Sequence, residues 1–220
     1  MLKNKKTKYL FIVLTIMVCF LAIYEAKSMI ELKEKSKLTV KKDNKIGPYT
    51  VFEDKTAYEK ELTPLLEDAI SKKDEKQIQT LVSQYFVAEY FTLRDKSNYS
   101  QVGGVGFVLP VSQSVFKTNA IDSYYRDIKE FIVTYGQDNL PLVTEVKVNT
   151  IKKGKVDDIV LPKTKKGEKE TKISSVVKVN CSWTYEANDK LSTTDVVDKM
   201  NIVLVKASDN WYVYELESVE

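Results

Sequence analysis

The sequence predicts an α+β fold in which an N-terminal transmembrane helix precedes helices packed on a curved antiparallel sheet. Three observations predict it: an uncharged apolar run opens the chain, apolar residues then recur at helical spacing as far as Gly136, and beyond Pro141 they alternate at strand spacing. Helices first and a sheet afterwards is the α+β order.

The apolar run reads YLFIVLTIMVCFLAIY from Tyr9 to Tyr24, preceded by Lys3, Lys5, Lys6 and Lys8 and closed by Glu25 and Lys27. Its 16 positions reach roughly 24 Å at about 1.5 Å per residue, so a signal-peptide core competes with a membrane anchor. Cleavage chemistry favours retention, because the candidate sites put Tyr24 before Ala26, or Phe20 before Ala22, where small residues are needed. Lipidation at Cys19 fits poorly too, since Val18 is not small and the apolar run continues to Tyr24. With the lysines on the cytoplasmic side, residues 1–8 read as a cytoplasmic tail and 9–26 as a single-pass anchor in the cell membrane. Residues 27–46 read as a Lys/Glu stalk ended by Gly47-Pro48, and 47–220 as an extracellular domain.

Composition narrows the chemistry. The 220 residues include 34 Lys+Arg, 31 Asp+Glu and no histidine, so Ser-His-Asp triads, Cys-His dyads and His-based zinc sites cannot be built. Residues 1–26 hold four lysines and one glutamate, which leaves 30 charges of each sign in 27–220. A neutral domain of this kind disfavours direct nucleic-acid binding. Two local basic surpluses, Lys27–Lys45 and Lys152–Lys172, read as solvated segments. Cys19 and Cys181 lie in different regions, and Cys181 reads as a strand-core residue. No cofactor and no metal ligand set is expected.

Thr63-Pro64 followed by Leu65, Leu66, Ala69 and Ile70 reads as a helix with Thr63 as N-cap. Asp74 caps a longer helix whose Ile78, Leu81, Val82, Tyr85 and Phe86 form one buried face, widened by Val87, Tyr90 and Phe91. A third helix holds Ile121, Tyr124, Tyr125, Ile128, Phe131, Ile132 and Tyr135 at helical spacing, capped by Asn119 and ended by Gly136. Between the last two lies a segment with Gly103, Gly104 and Gly106. It lacks both G-x-G-x-x-G and the Gly-Lys-Ser/Thr ending of a phosphate loop, and reads as a turn into a short strand.

In the first strand after Pro141, Leu142, Thr144, Val146, Val148 and Thr150 share a face. In the next, Val177, Val179, Cys181, Trp183 and Tyr185 point one way and Lys178, Asn180, Ser182, Thr184 and Glu186 the other. Met200, Ile202 and Leu204 begin a third strand, and Ser208-Asp209-Asn210 turns it into a fourth, WYVYELESV. The sheet is therefore an antiparallel meander.

The helical stretch QYFVAEYFTLRDK, the Gly-rich segment, the aromatic helix and the closing hairpin IVLVKASDNWYVYELESV together resemble the cystatin-like cone of nuclear transport factor and ketosteroid isomerase relatives. With the single anchor and the size, the chain most resembles the bitopic scaffold component of type IV secretion and conjugation machines, including Gram-positive conjugal transfer proteins of the TcpC type. The resemblance implies a non-enzymatic scaffold whose partners are itself and other envelope transfer proteins. Aromatic residues around the Gly-rich segment, Tyr90, Phe91, Tyr99, Phe107, Phe116 and Tyr125, are the interface candidates.

Two other classes stay open. A cone-fold isomerase or dehydratase would need a carboxylate base beside a Tyr donor, for which Asp95 with Tyr99, or Asp122 and Asp127, are the candidates. A membrane-anchored ligand- or wall-binding domain would need an open pocket. Whether the cone encloses such a pocket, or is filled by its own side chains, separates these readings from the scaffold.

Overall fold

The computed structural model describes residues 43–53, 56–161, 171–188, 190–191 and 196–219, all within one compact unit, Lys41–Glu220. The cytoplasmic tail, the anchor and most of the stalk expected from the sequence lie outside the described residues, as does the centre of the second basic segment. Among the described residues no helix is long and apolar enough to cross a membrane.

The fold is α+β. Strands β1 (Asp43–Ile46) and β2 (Tyr49–Phe52) form a small antiparallel hairpin, with Ile46 opposite Tyr49. Gly47-Pro48 is therefore a two-residue turn and not the end of a stalk, and Ile46 is a core residue. Gly47 has φ +57°, a backbone region that costs glycine little.

Helices α1 (Ala57–Lys72) and α2 (Glu75–Phe91) follow. The start of α1 corrects the sequence reading. Thr56, not Thr63, is its N-cap: the Thr56 hydroxyl accepts from the Glu59 N–H at 3.2 Å, and Glu59 Oε2 accepts from the Thr56 N–H at 2.8 Å. That reciprocal pair outcompetes the Thr63-Pro64 signal, so Pro64 sits inside the helix, where the preceding Thr63 hydroxyl donates to the Glu59 carbonyl. Lys73 closes α1 in the left-handed region, and Asp74 caps α2 as expected, accepting from the Gln77 N–H at 3.1 Å. The C-terminal half of α2 is buried all round.

The expected third helix is two helices, α3 (Gln113–Asp122) and α4 (Ile128–Tyr135), and Asn119 lies inside α3 instead of capping it. Tertiary hydrogen bonds break the helical run. The Tyr125 hydroxyl donates to the Tyr90 carbonyl at 2.6 Å and accepts from the Gly103 N–H at 3.1 Å, while the Tyr124 hydroxyl donates to the Phe91 carbonyl at 3.3 Å. Both rings thus turn onto the end of α2, and Ser123 takes up the bend at φ −124°, ψ −96°. Gly136 ends α4 as expected.

Four strands form the main sheet in sequence order: β3 (Val143–Lys153), β4 (Ile173–Tyr185), β5 (Lys199–Ala207) and β6 (Asn210–Glu217), all antiparallel. On β4 the expected face holds for Val177, Val179, Cys181 and Trp183, which are buried, while its last member, Tyr185, is half-buried. β3 departs from simple alternation, burying Val143 and Val146 and exposing Thr144 and Thr150, because register shifts interrupt its pairing with β4. The Tyr58 hydroxyl holds both backbone groups of Val146, and Gln84 Nε2 donates to the same carbonyl at 2.7 Å. On β5, residues 202–205 are all buried, so this part of the sheet is covered on both faces.

Candidate functional site

The polar centre of the molecule is Glu89, near the end of α2. Its neighbours Val87, Ala88, Tyr90 and Phe91 are all buried, and Glu89 itself is only 2% exposed. Sequence reasoning passed over this residue. The signal was a single charge inside an otherwise apolar run, a pattern that occurs only where the charge has partners.

Those partners are backbone amides from two other segments. Glu89 Oε1 accepts from the Phe52 N–H of β2 at 3.2 Å, and Oε2 accepts from the Gly104 N–H at 2.9 Å. The Gly-rich segment is shaped for this approach. A Cβ on Gly103 would lie 1.9 Å from the Glu89 carbonyl oxygen, and one on Gly106 would lie 1.8 Å from the Thr50 carbonyl oxygen. The glycines therefore let two backbones meet. In place of the expected short strand, the segment forms two short 3-10 turns, Val105–Phe107 and Pro110–Ser112, and among the described residues it pairs with the sheet backbone in one isolated bridge, Val108 to Val213.

Two further ionisable side chains, Glu59 and Lys96, act on Glu89, and Asp95 joins them through Lys96. Glu59 is 1% exposed on α1. Lys96, fully buried beyond the end of α2, pairs with Asp95 and lies 5.5 Å over the Phe52 ring. Burial, and next the Glu59 charge, raise the Glu89 carboxyl to about 8, while the Gly104 N–H, the Lys96 ammonium and the Phe52 N–H pull it back. Over this cluster opens a cleft of about 270 Å³, walled by Phe52, Val102 and Val105 and rimmed by Gln113 and Lys117 of α3. The Glu89 carboxyl forms part of its lining.

The space between α2, the Gly-rich segment and the sheet is filled by aromatic rings. Tyr49 stacks on Phe107 at 4.9 Å, Tyr85 meets Phe107 at 5.1 Å, and Phe91 meets Trp183 at 4.4 Å between ring centroids. Four interface candidates, Tyr90, Phe91, Phe107 and Tyr125, belong to this filling and are buried. Phe116 is half-buried against Phe86 and Tyr90, and Tyr99 is 44% exposed with the Lys129 ammonium 5.5 Å over its ring. Tyr90 and Phe91 are buried because the C-terminal half of α2 is covered all round, Phe107 because its ring stacks on Tyr49, and Tyr125 because its hydroxyl is held by Tyr90 and Gly103. Desolvation raises the Tyr90 hydroxyl to about 12 and the Cys181 thiol to about 12, so neither ionises near neutral pH.

The three candidate carboxylates do not converge. Asp95 is held by Lys96, Asp122 is exposed at the last position of α3, and Asp127 pairs with Arg126 at 3.1 Å. Among the described residues no group of three or more His, Cys, Asp or Glu is placed to hold a metal ion.

On the outside, a groove of about 690 Å³ runs between α3 and the edge strand β6, lined by Val115, Phe116, Val160, Leu161, Tyr214 and Leu216. Val115 is 57% and Val160 79% exposed there. No protein-family model, curated protein or solved structure matches the chain.

Proposed function

We propose that the chain is a non-enzymatic, membrane-anchored assembly scaffold of a conjugative transfer (type IV secretion) machine, acting by self-association and by binding other envelope transfer proteins. The observation that supports this reading is the aromatic filling: Tyr49, Tyr85, Phe86, Phe107 and Tyr125 are all buried, so their rings take up interior space in which a substrate would have to be bound. The α+β order, read more finely as a cystatin-like cone, agrees with it. Apolar side chains left in solvent at Val115, Val160 and Tyr99 supply contact surface, and an anchor would raise the local concentration so that weak contacts suffice. The cleft over Glu89 favours a second reading, a membrane-anchored ligand- or wall-binding domain.

The test uses the full chain in its membrane, with a photo-reactive residue at Val115 or Tyr99. Crosslinks to a second copy or to an envelope transfer protein are expected, and replacing the anchor by a cleavable signal should abolish transfer. Asp95→Asn, Asp122→Asn and Asp127→Asn should each leave transfer largely intact where the variant folds, Asp95→Asn being the one that strips a buried lysine of its partner. A monomer that purifies with a bound small molecule would sink the scaffold reading in favour of the binding domain.

A further inference from the structure

We propose that the two edges of the main sheet pair with each other between copies of this chain, β3 of one copy beside β6 of the next, so that the scaffold grows head to tail through a shared sheet. This seam rests on the self-association proposed above and gives it a surface.

A sheet edge presents unpaired backbone groups, which the body of a protein normally covers. Here each edge is covered along one half and bare along the other. On β3 the Thr92 hydroxyl accepts from the Val143 N–H at 3.1 Å, and Tyr58 and Gln84 hold the backbone of Val146. On β6 the Tyr49 hydroxyl donates to the Trp211 carbonyl, and the Leu109 N–H donates to the Val213 carbonyl at 2.9 Å. Among the described residues, no hydrogen bond from outside the sheet reaches the backbone of 147–153 in β3 or of 214–217 in β6.

The bare halves lie level. Lys152 is opposite Lys178, Lys178 opposite Val203, and Val203 opposite Glu215; in the neighbouring row Ile151, Val179, Ile202 and Leu216 follow one another. Three antiparallel steps separate β3 from β6, so a copy displaced across the sheet without being turned over brings its β3 antiparallel to β6. With the rows kept, Lys152 meets Glu215 and Ile151 meets Leu216 across the seam. The incoming strand lies in the groove between α3 and β6, where Val115 and Phe116 can cover Ile151, which is only half-buried in a single copy.

Charge selects this pairing over the alternatives. The bare half of β3 carries Lys147, Lys152 and Lys153, and that of β6 carries Glu215 and Glu217. Pairing β3 with β3, or β6 with β6, sets like charges side by side; the mixed pairing sets opposite ones. Glu217 is engaged by Lys178 of its own copy, whereas Lys152 and Glu215 are exposed and, among the described residues, in no ion pair. Lys152 also faces Lys178 within its own sheet, a like-charge contact that a carboxylate on its open side would relieve. Because each copy uses two different edges, the contact extends into a chain or a ring.

Carbodiimide coupling of the full chain in detergent micelles tests the seam, since it joins a lysine only to a carboxylate in contact with it. Lys152 and Glu215 stand three strand spacings apart on one sheet, about 14 Å, so a link between them joins two copies. Mass spectrometry of digested crosslinked species should find that link. Lys152→Glu makes both edges acidic and Glu215→Lys makes both basic, so in sedimentation each variant alone should associate about tenfold more weakly than wild type. Mixing the two variants should restore association, which a simple loss of folding would not allow. Self-association without the Lys152–Glu215 link, variants that associate like wild type, or a mixture that fails to recover would each overturn the seam and leave the scaffold reading standing. A chain that stays monomeric and captures no envelope transfer protein would overturn both.

Discussion

At its last residue, α2 presents Phe91 to Trp183 of β4; two residues earlier the same helix presents Glu89 to the backbone of β2 and the Gly-rich segment. Both contacts are buried, and both join elements distant in sequence. The first is apolar on both sides, so its strength follows from area removed from water and packing, and changes little with pH. The second puts a carboxyl beside another carboxyl out of water, so its strength depends on whether a proton is bound. The sheet seam is thus a fixed joint and the hairpin seam a conditional one, within a few ångströms along one helix.

The sharpest way to break this comparison is Trp183→Ala. It removes a large ring from the face of β4, where Phe91 packs, at a cost of roughly 3–5 kcal/mol. Denaturant unfolding of the full chain should show the midpoint falling by the same amount at pH 6 and pH 9. A nearly neutral change would mean that the seam is not the joint described.

Next in size is Gly106→Ala on the hairpin side. A Cβ there would meet the Thr50 carbonyl oxygen at 1.8 Å, and backbone cannot step aside as a flexible side chain can. The overpacking should cost about 1–3 kcal/mol, with faster amide exchange in β1 and β2 and little change in β4. Uniform acceleration across the molecule would show that the two seams do not separate.

The fixed joint was legible in the sequence. Alternation from Val177 to Trp183 and helical spacing from Ile78 to Phe91 assign those buried faces because apolar periodicity is the record that burial leaves. The conditional joint left almost no such record. Glu89 breaks the apolar pattern, Lys96 looks like any surface lysine, and neither reveals that a backbone amide forty or so residues earlier in the chain needs an acceptor. The same blindness to tertiary hydrogen bonds joined α3 and α4 into one helix. Local spacing continues through Ser123, but the hydroxyls of Tyr124 and Tyr125 find carbonyls at the end of α2. The Thr56 cap was missed for a different reason: a Pro at the eighth helical position mimics a helix start, and the true start is marked by the reciprocal Thr56–Glu59 pair.

Tyr125→Phe sits between the two seams and sharpens the boundary. The ring stays in the aromatic cluster, but the hydroxyl that holds the Tyr90 carbonyl and the Gly103 N–H is gone. Losing these bonds while a buried N–H goes unpaired should cost about 1–2 kcal/mol. The loss should appear in the exchange of Gly103 and Gly104 before it appears in the sheet. If global unfolding alone is affected, the Gly-rich segment belongs to the fixed joint.

The smallest effect belongs to an ion pair outside both seams. Lys72 and Asp68 on α1 are 2.7 Å apart, with side chains 67% and 56% exposed. The spacing is the favourable i,i+4 one, and Lys72 also sits in the last turn, where the helix dipole welcomes a cation. Water solvates both groups whether or not they pair, so Lys72→Ala should cost less than about 1 kcal/mol, and raising the salt concentration should shrink that difference further. The carboxyl of Glu89 differs from that of Asp68 chiefly in being out of water. A Lys72→Ala effect as large as that of Tyr125→Phe, measured in the same buffer, would mean that burial does not govern how charge acts in this domain, and the distinction between fixed and conditional joints would lose its physical basis.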